Sequence, residues 1–228
     1  MEPKVTHRVK LTPRSLVVDG KCVAEAVAGE SFLTHLYRKY KMDYPKFFKM
    51  DVLCKVGFIA SEILLEAEGG ERFVPRADRA VILFNRHSSL NADRTFQRTI
   101  ADSEEFYPSP AVFVYTLPNI VTGEIAIRNK YHGESSFVLL PEKSGETMNQ
   151  AIERAFLDSE TTSVLTGWVE AVSETEYEAD FLIHNEECSI KNDKRYGRST
   201  IPPFRGDARR AGGIKTSSLS SPEGARAR

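Results

Sequence analysis

Three stretches of this 228-residue chain gather side chains able to do chemistry. The first is the polar break Pro141-Glu142-Lys143-Ser144-Gly145, which follows an apolar run over 136–140 and precedes a helical pattern. A strand that ends in a tight turn before a helix exposes a side chain at the carboxyl edge of a sheet. It also aims helix-terminal N–H groups at a ligand. The second is Asn85-Arg86-His87-Ser88-Ser89, at the end of the apolar run 80–84. Serine as nucleophile and histidine as base needs an orienting acid and an oxyanion site, and adjacent residues rarely face one another. The plainer reading is a strand-end loop that caps a helix over 91–100. The third is KMDYPKFFKM at 41–50, where aromatics interleave with lysines as on a single-strand nucleic-acid platform. In a chain of formal net charge -1 such a cluster is better suited to anchoring a loop on the core, so no nucleic-acid partner is expected. His35, beside the apolar face of 31–40, reads as a structural or surface histidine.

The elements that position these residues follow from hydrophobic periodicity. Alternation predicts short strands over 5–11 and 16–18, the second turned by Asp19-Gly20 into 21–27. Phe32, Leu33, Leu36 and Tyr37 lie at helical spacing. Asp51 caps a stronger helix, in which Leu53, Val56, Gly57, Ala60, Ile63, Leu64 and Ala67 recur every three or four residues until Gly69-Gly70. Residues 80–84 (AVILF) form a continuous apolar run, which suits a strand buried on both faces. After the proline-punctuated lead-in SPAVFVYTLPN, Pro118 sits where a first helical turn tolerates proline. Leu117, Ile120, Val121, Ile125 and Ile127 give that helix an apolar surface, and Gly123 permits close contact. Arg128 and Lys130 suit its C-terminus. A strand over 136–140, a helix carrying Met148, Ala151, Ile152, Ala155 and Phe156, and strands over 163–169 and 180–184 complete the pattern. Strand and helix alternate, predicting an α/β fold with a mainly parallel, mixed sheet layered with helices.

Composition narrows the class. With 41% hydrophobic and 28% charged residues the chain can bury one substantial core. Cys22, Cys54 and Cys188 are isolated thiols, as in a reducing compartment. The start lacks an apolar signal core, and no apolar run approaches the roughly 18 residues that span a bilayer. These features predict a cytoplasmic protein with no membrane insertion. Residues 1–187 are expected to fold. Residues 188–228 carry ten basic residues against three acidic ones and read as a basic tail with too little apolar content to fold alone.

The stretch SPAVFVYTLPNIVTGEIAIRNKYHGESSFVLL (109–140) resembles the N-terminal half of β-ketoacyl synthases, the condensing enzymes of the thiolase-like fold. Ser109-Pro110, Asn119, Gly123, Gly133 and the strand 136–140 carry the likeness. FFKMDVLCKVGFIASEIL (47–64) is similar to the family's Met-Asp helix. ETTSVLTGWVEA (160–171) is similar to the strand after the nucleophile helix, with Gly167 and Glu170 in place. The resemblance spans about residues 43–185 and is nearest to short ketosynthase-like proteins found beside aryl-polyene and flexirubin-type pigment genes. It implies half of a thiolase-like fold.

The family's corner reads roughly Ala-Cys-x-Ser-Gly, so the resemblance places Glu142 where the reactive cysteine belongs, followed by Ser144 and Gly145. Condensation needs a thiolate to hold the acyl chain, and a carboxylate does not replace it. The assisting histidines and lysine come from the family's C-terminal half, and His87, His132 and His184 do not occupy those positions. The resemblance therefore implies a non-catalytic subunit, pairing with itself or with an active ketosynthase as chain-length factors do. Its setting would be fatty-acid or polyene-type polyketide assembly on an acyl carrier protein. The dimer strand would be Ser136, Phe137, Val138, Leu139 and Leu140, and Arg128 and Lys130 would meet the acidic carrier. No metal is expected, and no cofactor beyond the 4'-phosphopantetheine of a carrier. Two other readings stand beside this one. In one, Glu142 or the Ser88/Ser89 loop would perform thioester decarboxylation or hydrolysis, or the chain would have 3-oxoacyl-carrier-protein synthase activity in complex with a partner; in the other, the chain is a degenerate synthase fragment.

Overall fold

In a computed structural model of the protein, which describes residues 4–186 apart from 103 and 105, seven strands form one mixed sheet. The strands are β1 (Lys4–Leu11), β2 (Ser15–Val18), β3 (Lys21–Glu25), β4 (Arg79–Asn85), β5 (Ser135–Leu139), β6 (Ser163–Ser173) and β7 (Glu176–Asn185). The helices are α1 (Phe32–Lys39), α2 (Val52–Glu68), α3 (Leu90–Arg98), α4 (Pro110–Phe113), α5 (Ile120–Asn129) and α6 (Gly145–Ala155). Short 3-10 helices cover Pro45–Lys49 and Val114–Thr116. The tail at 188–228, with Cys188, lies outside the described residues.

The strand order is β3-β2-β1-β7-β6-β4-β5. Pairing is parallel only within β5-β4-β6 and antiparallel in the other four ladders. The α/β class and the mixed sheet are as the sequence indicates. The emphasis on parallel pairing needs correction: five strands share one direction, but β2 and β7 run against them and separate most of the others. The cause is local. β6 and β7 are consecutive strands of one hairpin, as are β1 and β2, and a hairpin is antiparallel by construction.

Helices cover both faces. Val81 and Leu83 of β4 point into a core with α1, α2 and α5, whereas Ala80, Ile82 and Phe84 point to α6 through Met148, Ile152 and Ala155. β4 is buried at every position, in line with its uninterrupted apolar run. Helix α2 is the central helix of the larger core, with thirteen of its seventeen residues buried. The Asp51 carboxylate accepts the Cys54 and Leu53 N–H groups at 3.0 and 3.3 Å, and Gly69 ends the helix at φ 73°.

Close contact between α2 and α5 comes from Gly57, where a side chain would strike Cγ2 of Val121. Gly123 faces open space, so the close approach expected of it is absent. Leu117 and Ile127 are exposed, at 50% and 68%. The buried face of α5 is instead Val121, Thr122, Glu124, Ile125 and Asn129. Apolar content alone misassigned the face, because paired polar groups take buried positions there.

Candidate functional site: the strand-to-helix corner

Helix α6 begins at Ser144, whose Oγ accepts the Thr147 N–H at 3.3 Å and lies 3.1 Å from Thr147 Oγ1. The corner before it is exposed at Pro141, Glu142 and Lys143. Among the described residues Glu142 makes no hydrogen bond or ion pair, so its carboxylate does not cap the helix; Ser144 does. Gly145 opens the helix with free space where a Cβ would lie.

Lys143 holds the corner to the sheet. Its ammonium donates to Asp180 Oδ2 on β7 at 3.0 Å, and Arg8 of β1 grips the same carboxylate at 2.7 and 2.6 Å. Burial pushes the Asp180 carboxyl up, but the hydrogen bonds from Arg8 and Lys143 outweigh it and leave the pKa below the usual aspartate value. A carboxyl depressed on folding adds stability that is present above its unfolded pKa and lost as pH falls through the folded one. Urea unfolding of the native chain and of Asp180→Asn, run from about pH 6 to about pH 3, should show the native chain losing more stability. Parallel curves would separate Asp180 from the acid response.

At the end of β4, His87 Nδ1 lies 3.3 Å from Glu170 Oε2 on β6, and that oxygen accepts the Arg86 N–H at 2.9 Å. Glu170 Oε1 is buried without a hydrogen-bond partner among the described residues. This pair was not legible in sequence, where 83 positions separate the two residues. The serines do not join it. Ser88, in left-handed backbone at φ 55°, exchanges hydrogen bonds between its main chain and the Asn85 side chain, and the Ser89 hydroxyl donates to the Thr116 carbonyl. The loop leads into α3 without a side-chain cap, so both serines serve loop structure.

The other candidates separate. Phe47 of the aromatic–lysine stretch is fully buried and stacks on Tyr37 at 4.5 Å, anchoring the loop to the core. His35 sits on the surface near Glu30 at 3.6 Å. Cys54 is buried on the face of the sheet opposite α6, where burial pushes its thiol well up, and Cys22 lies exposed on the far edge strand β3. Neither comes to the corner. Arg128 is committed internally: it donates to the Asp43 carbonyl at 2.8 Å, approaches Glu62 at 3.5 Å and lies over the Phe73 and Tyr44 rings. Lys130, exposed at the left-handed C-cap of α5, is left facing solvent. Among the described residues no group of three or more His, Cys, Asp or Glu could hold a metal ion. No single helix among them is long and apolar enough to cross a membrane.

The strand expected at 136–140 is β5, shifted by one residue to Ser135–Leu139. It lies at the edge of the sheet with β4 as its one partner among the described residues. Beside it, Ser136, Val138, Thr147, Ala151 and Ala155 line a groove of about 460 Å³ between β5 and α6.

This arrangement is that of a ketosynthase-like, thiolase-type fold. A solved structure of the ishigamide ketosynthase/chain length factor superposes with a TM-score of 0.63 at 19% identity, over 83% of this chain and 63% of that one. The complex of the ketosynthase ApeO with its chain length factor ApeC from Xenorhabdus doucetiae gives 0.58 at 13% identity, over 82% and 79%. A β-ketoacyl synthase from Burkholderia phymatum gives 0.52 at 11%, over 82% and 60%. This chain thus spans about 63% of the length of the ishigamide protein it matches. No protein-family model and no curated protein matches the sequence.

Proposed function

We propose that the chain is a non-catalytic, ketosynthase-like partner subunit that pairs through β5 with an active ketosynthase in polyene- or fatty-acid-type chain assembly. The observation that carries this reading is the contrast between the two edges of the sheet. Edge strand β3 is blunted: it carries Lys21 and Glu25, its register slips by a bulge against β2, and Lys39 donates to the Val23 carbonyl at 2.8 Å. Such devices block strand addition. Among the described residues edge strand β5 has none of them. Its residues are Ser135, Ser136, Phe137, Val138 and Leu139, uncharged and in unbroken register with β4. An unprotected edge of this kind suits pairing with another strand.

The complex of ApeO with ApeC supports a heterodimer over a homodimer as the first expectation. Glu142 at the corner supports the non-catalytic assignment, since an exposed carboxylate cannot hold an acyl thioester. The carrier protein would bring its own phosphopantetheine to the ketosynthase, with Lys130 as this chain's contact to an acidic carrier and the cytoplasm as the setting.

The test is co-purification with candidate ketosynthases, comparing the native chain with Ser135→Lys/Leu139→Lys. Both positions are exposed, so the fold should survive, while two ammonium groups on the edge should cut association by about a hundredfold or more. Equal recovery with both forms would refute pairing through β5. Intact-mass measurement after incubation with acyl-carrier thioester should show no adduct on this chain, and an acylated residue would overturn the non-catalytic assignment.

A further inference from the structure

A cavity of about 220 Å³ lies between the start of α2, the first turns of α3 and the segment that carries α4. It sits on the α2 side of the sheet. Met50, Val52, Ala92 and Tyr115 on its wall belong to the larger core, whereas α6 packs on the opposite face. The cavity is therefore separate from the corner at Glu142, and nothing about it depends on how β5 is used. Small side chains keep it open: Ala92 and Ala111 stand where larger apolar residues would fill the space. Its volume matches about seven water molecules, enough for a cyclohexyl ring and too little for a long acyl chain.

Two polar groups on the wall have bonding capacity left over. The Asp51 carboxylate accepts the Cys54 and Leu53 N–H groups and a bond from the Cys54 thiol. A carboxylate takes roughly four such bonds, so it has room for another donor. Tyr115 is 8% exposed, and among the described residues its hydroxyl makes no hydrogen bond. Buried tyrosines normally find a partner, because an unpaired hydroxyl withdrawn from water costs free energy. Burial, then the charges of Glu124 and Asp51, push the Tyr115 pKa up to about 12, so the group remains a donor near neutral pH.

The left-over capacities are complementary. Asp51 lacks a donor and Tyr115 offers one, and a single hydroxyl oxygen answers both. A carboxylate ligand would be repelled by Asp51. An ammonium would leave the Tyr115 proton unused and would oppose the positive end of α2. At the rim Lys49 and Glu174, both exposed and without an ion pair among the described residues, cancel in charge. We propose that this cavity binds a small neutral alcohol, with its hydroxyl between Tyr115 and Asp51 and its short apolar body against Met50, Val52 and the two alanines.

The experiment titrates the full chain, labelled with nitrogen-15, with cyclohexanol, cyclohexylammonium and cyclohexanecarboxylate, and follows the amide shifts. These probes share one shape and differ in the head. Cyclohexanol should saturate with a dissociation constant of about 1 mM, which ligands this small can reach, and its shifts should gather at 49–52, 91–95 and 111–115. The two charged probes should bind at least about fivefold more weakly. Tyr115→Phe should weaken cyclohexanol about three- to tenfold without lowering the melting temperature, since the hydroxyl it removes has no partner to lose. Ala111→Trp, at an exposed position, should fill the cavity and abolish binding, and it decides the matter should Tyr115→Phe disturb the fold. Tighter binding of cyclohexylammonium would overturn the alcohol assignment. No saturation by cyclohexanol up to about 50 mM, or native affinity in folded Ala111→Trp, would overturn the site itself. Ser135→Lys/Leu139→Lys should bind cyclohexanol as the native chain does, so failure of the β5 reading and failure of this one are told apart.

Discussion

Gly167→Ala is expected to lower the melting temperature by roughly 6–12 °C. Gly167 lies in the middle of β6, directly opposite Phe181 of β7. A Cβ there would sit 2.5 Å from Phe181 Cδ1 and 2.8 Å from its Cα, and closer still to the Asp180 carbonyl oxygen. Two of these three obstacles are backbone, so no rotamer change relieves them and the strands must part. Overpacking of this kind costs about 3 kcal/mol, and in a domain of this size each kcal/mol is worth roughly 2–4 °C. The strain falls on the hairpin that carries Glu170 and Asp180, so the corner should loosen as well. Calorimetric unfolding gives the result directly. A melting point within about 2 °C of the native value would mean the backbone yields more easily than its geometry indicates.

The second large effect concerns Arg79. This guanidinium opens β4 at 2% exposure, donating to Glu68 at 2.7 and 2.5 Å and to Ser163 Oγ at 2.9 Å, with the Tyr131 ring 5.6 Å away. Glu68→Ala leaves that charge buried without its counter-ion and should cost about 3 kcal/mol, the low end for a broken buried pair because the Glu68 side chain is 19% exposed. Removing the whole pair is a different operation. Glu68→Leu/Arg79→Met replaces two desolvated charges by apolar groups of similar volume and should recover most of the loss. Urea denaturation of the two variants, compared with the native chain, measures both. A double variant no better than Glu68→Ala would show that Ser163 and Tyr131 depend on the guanidinium itself.

What the sequence made legible, and what it hid, divides by range. Helix α2 was readable because its signals are local: an aspartate cap, apolar residues at three- and four-residue intervals, and a glycine stop. β4 was readable because burial on both faces leaves an uninterrupted apolar run. β6 and β7 were foreseen too short, at 163–169 and 180–184. They extend to Ser173 and begin at Glu176, with residues such as Ser173 and Glu178 paired in the ladder without an apolar signature. The helical turn α4 was hidden in a lead-in dominated by prolines.

The candidate site shows the same division. The corner at Glu142 and Ser144 was visible through resemblance and local pattern. The groups that hold or surround it were not: Asp180 meets Lys143 from 37 positions away and Arg8 from 172. Arg128 is the reverse case, a residue that looked free at a helix end. Tyr44 and Phe73 lie more than fifty positions from it in sequence and enclose it only in the folded chain.

The blunted rim at β3 has one further consequence. Among the described residues the sheet is open on one side alone, and such a sheet is extended at that edge only, because a second copy added there covers it. Were two copies of this chain to join through the β5 edge proposed for pairing, assembly would stop at a closed pair instead of propagating into filaments.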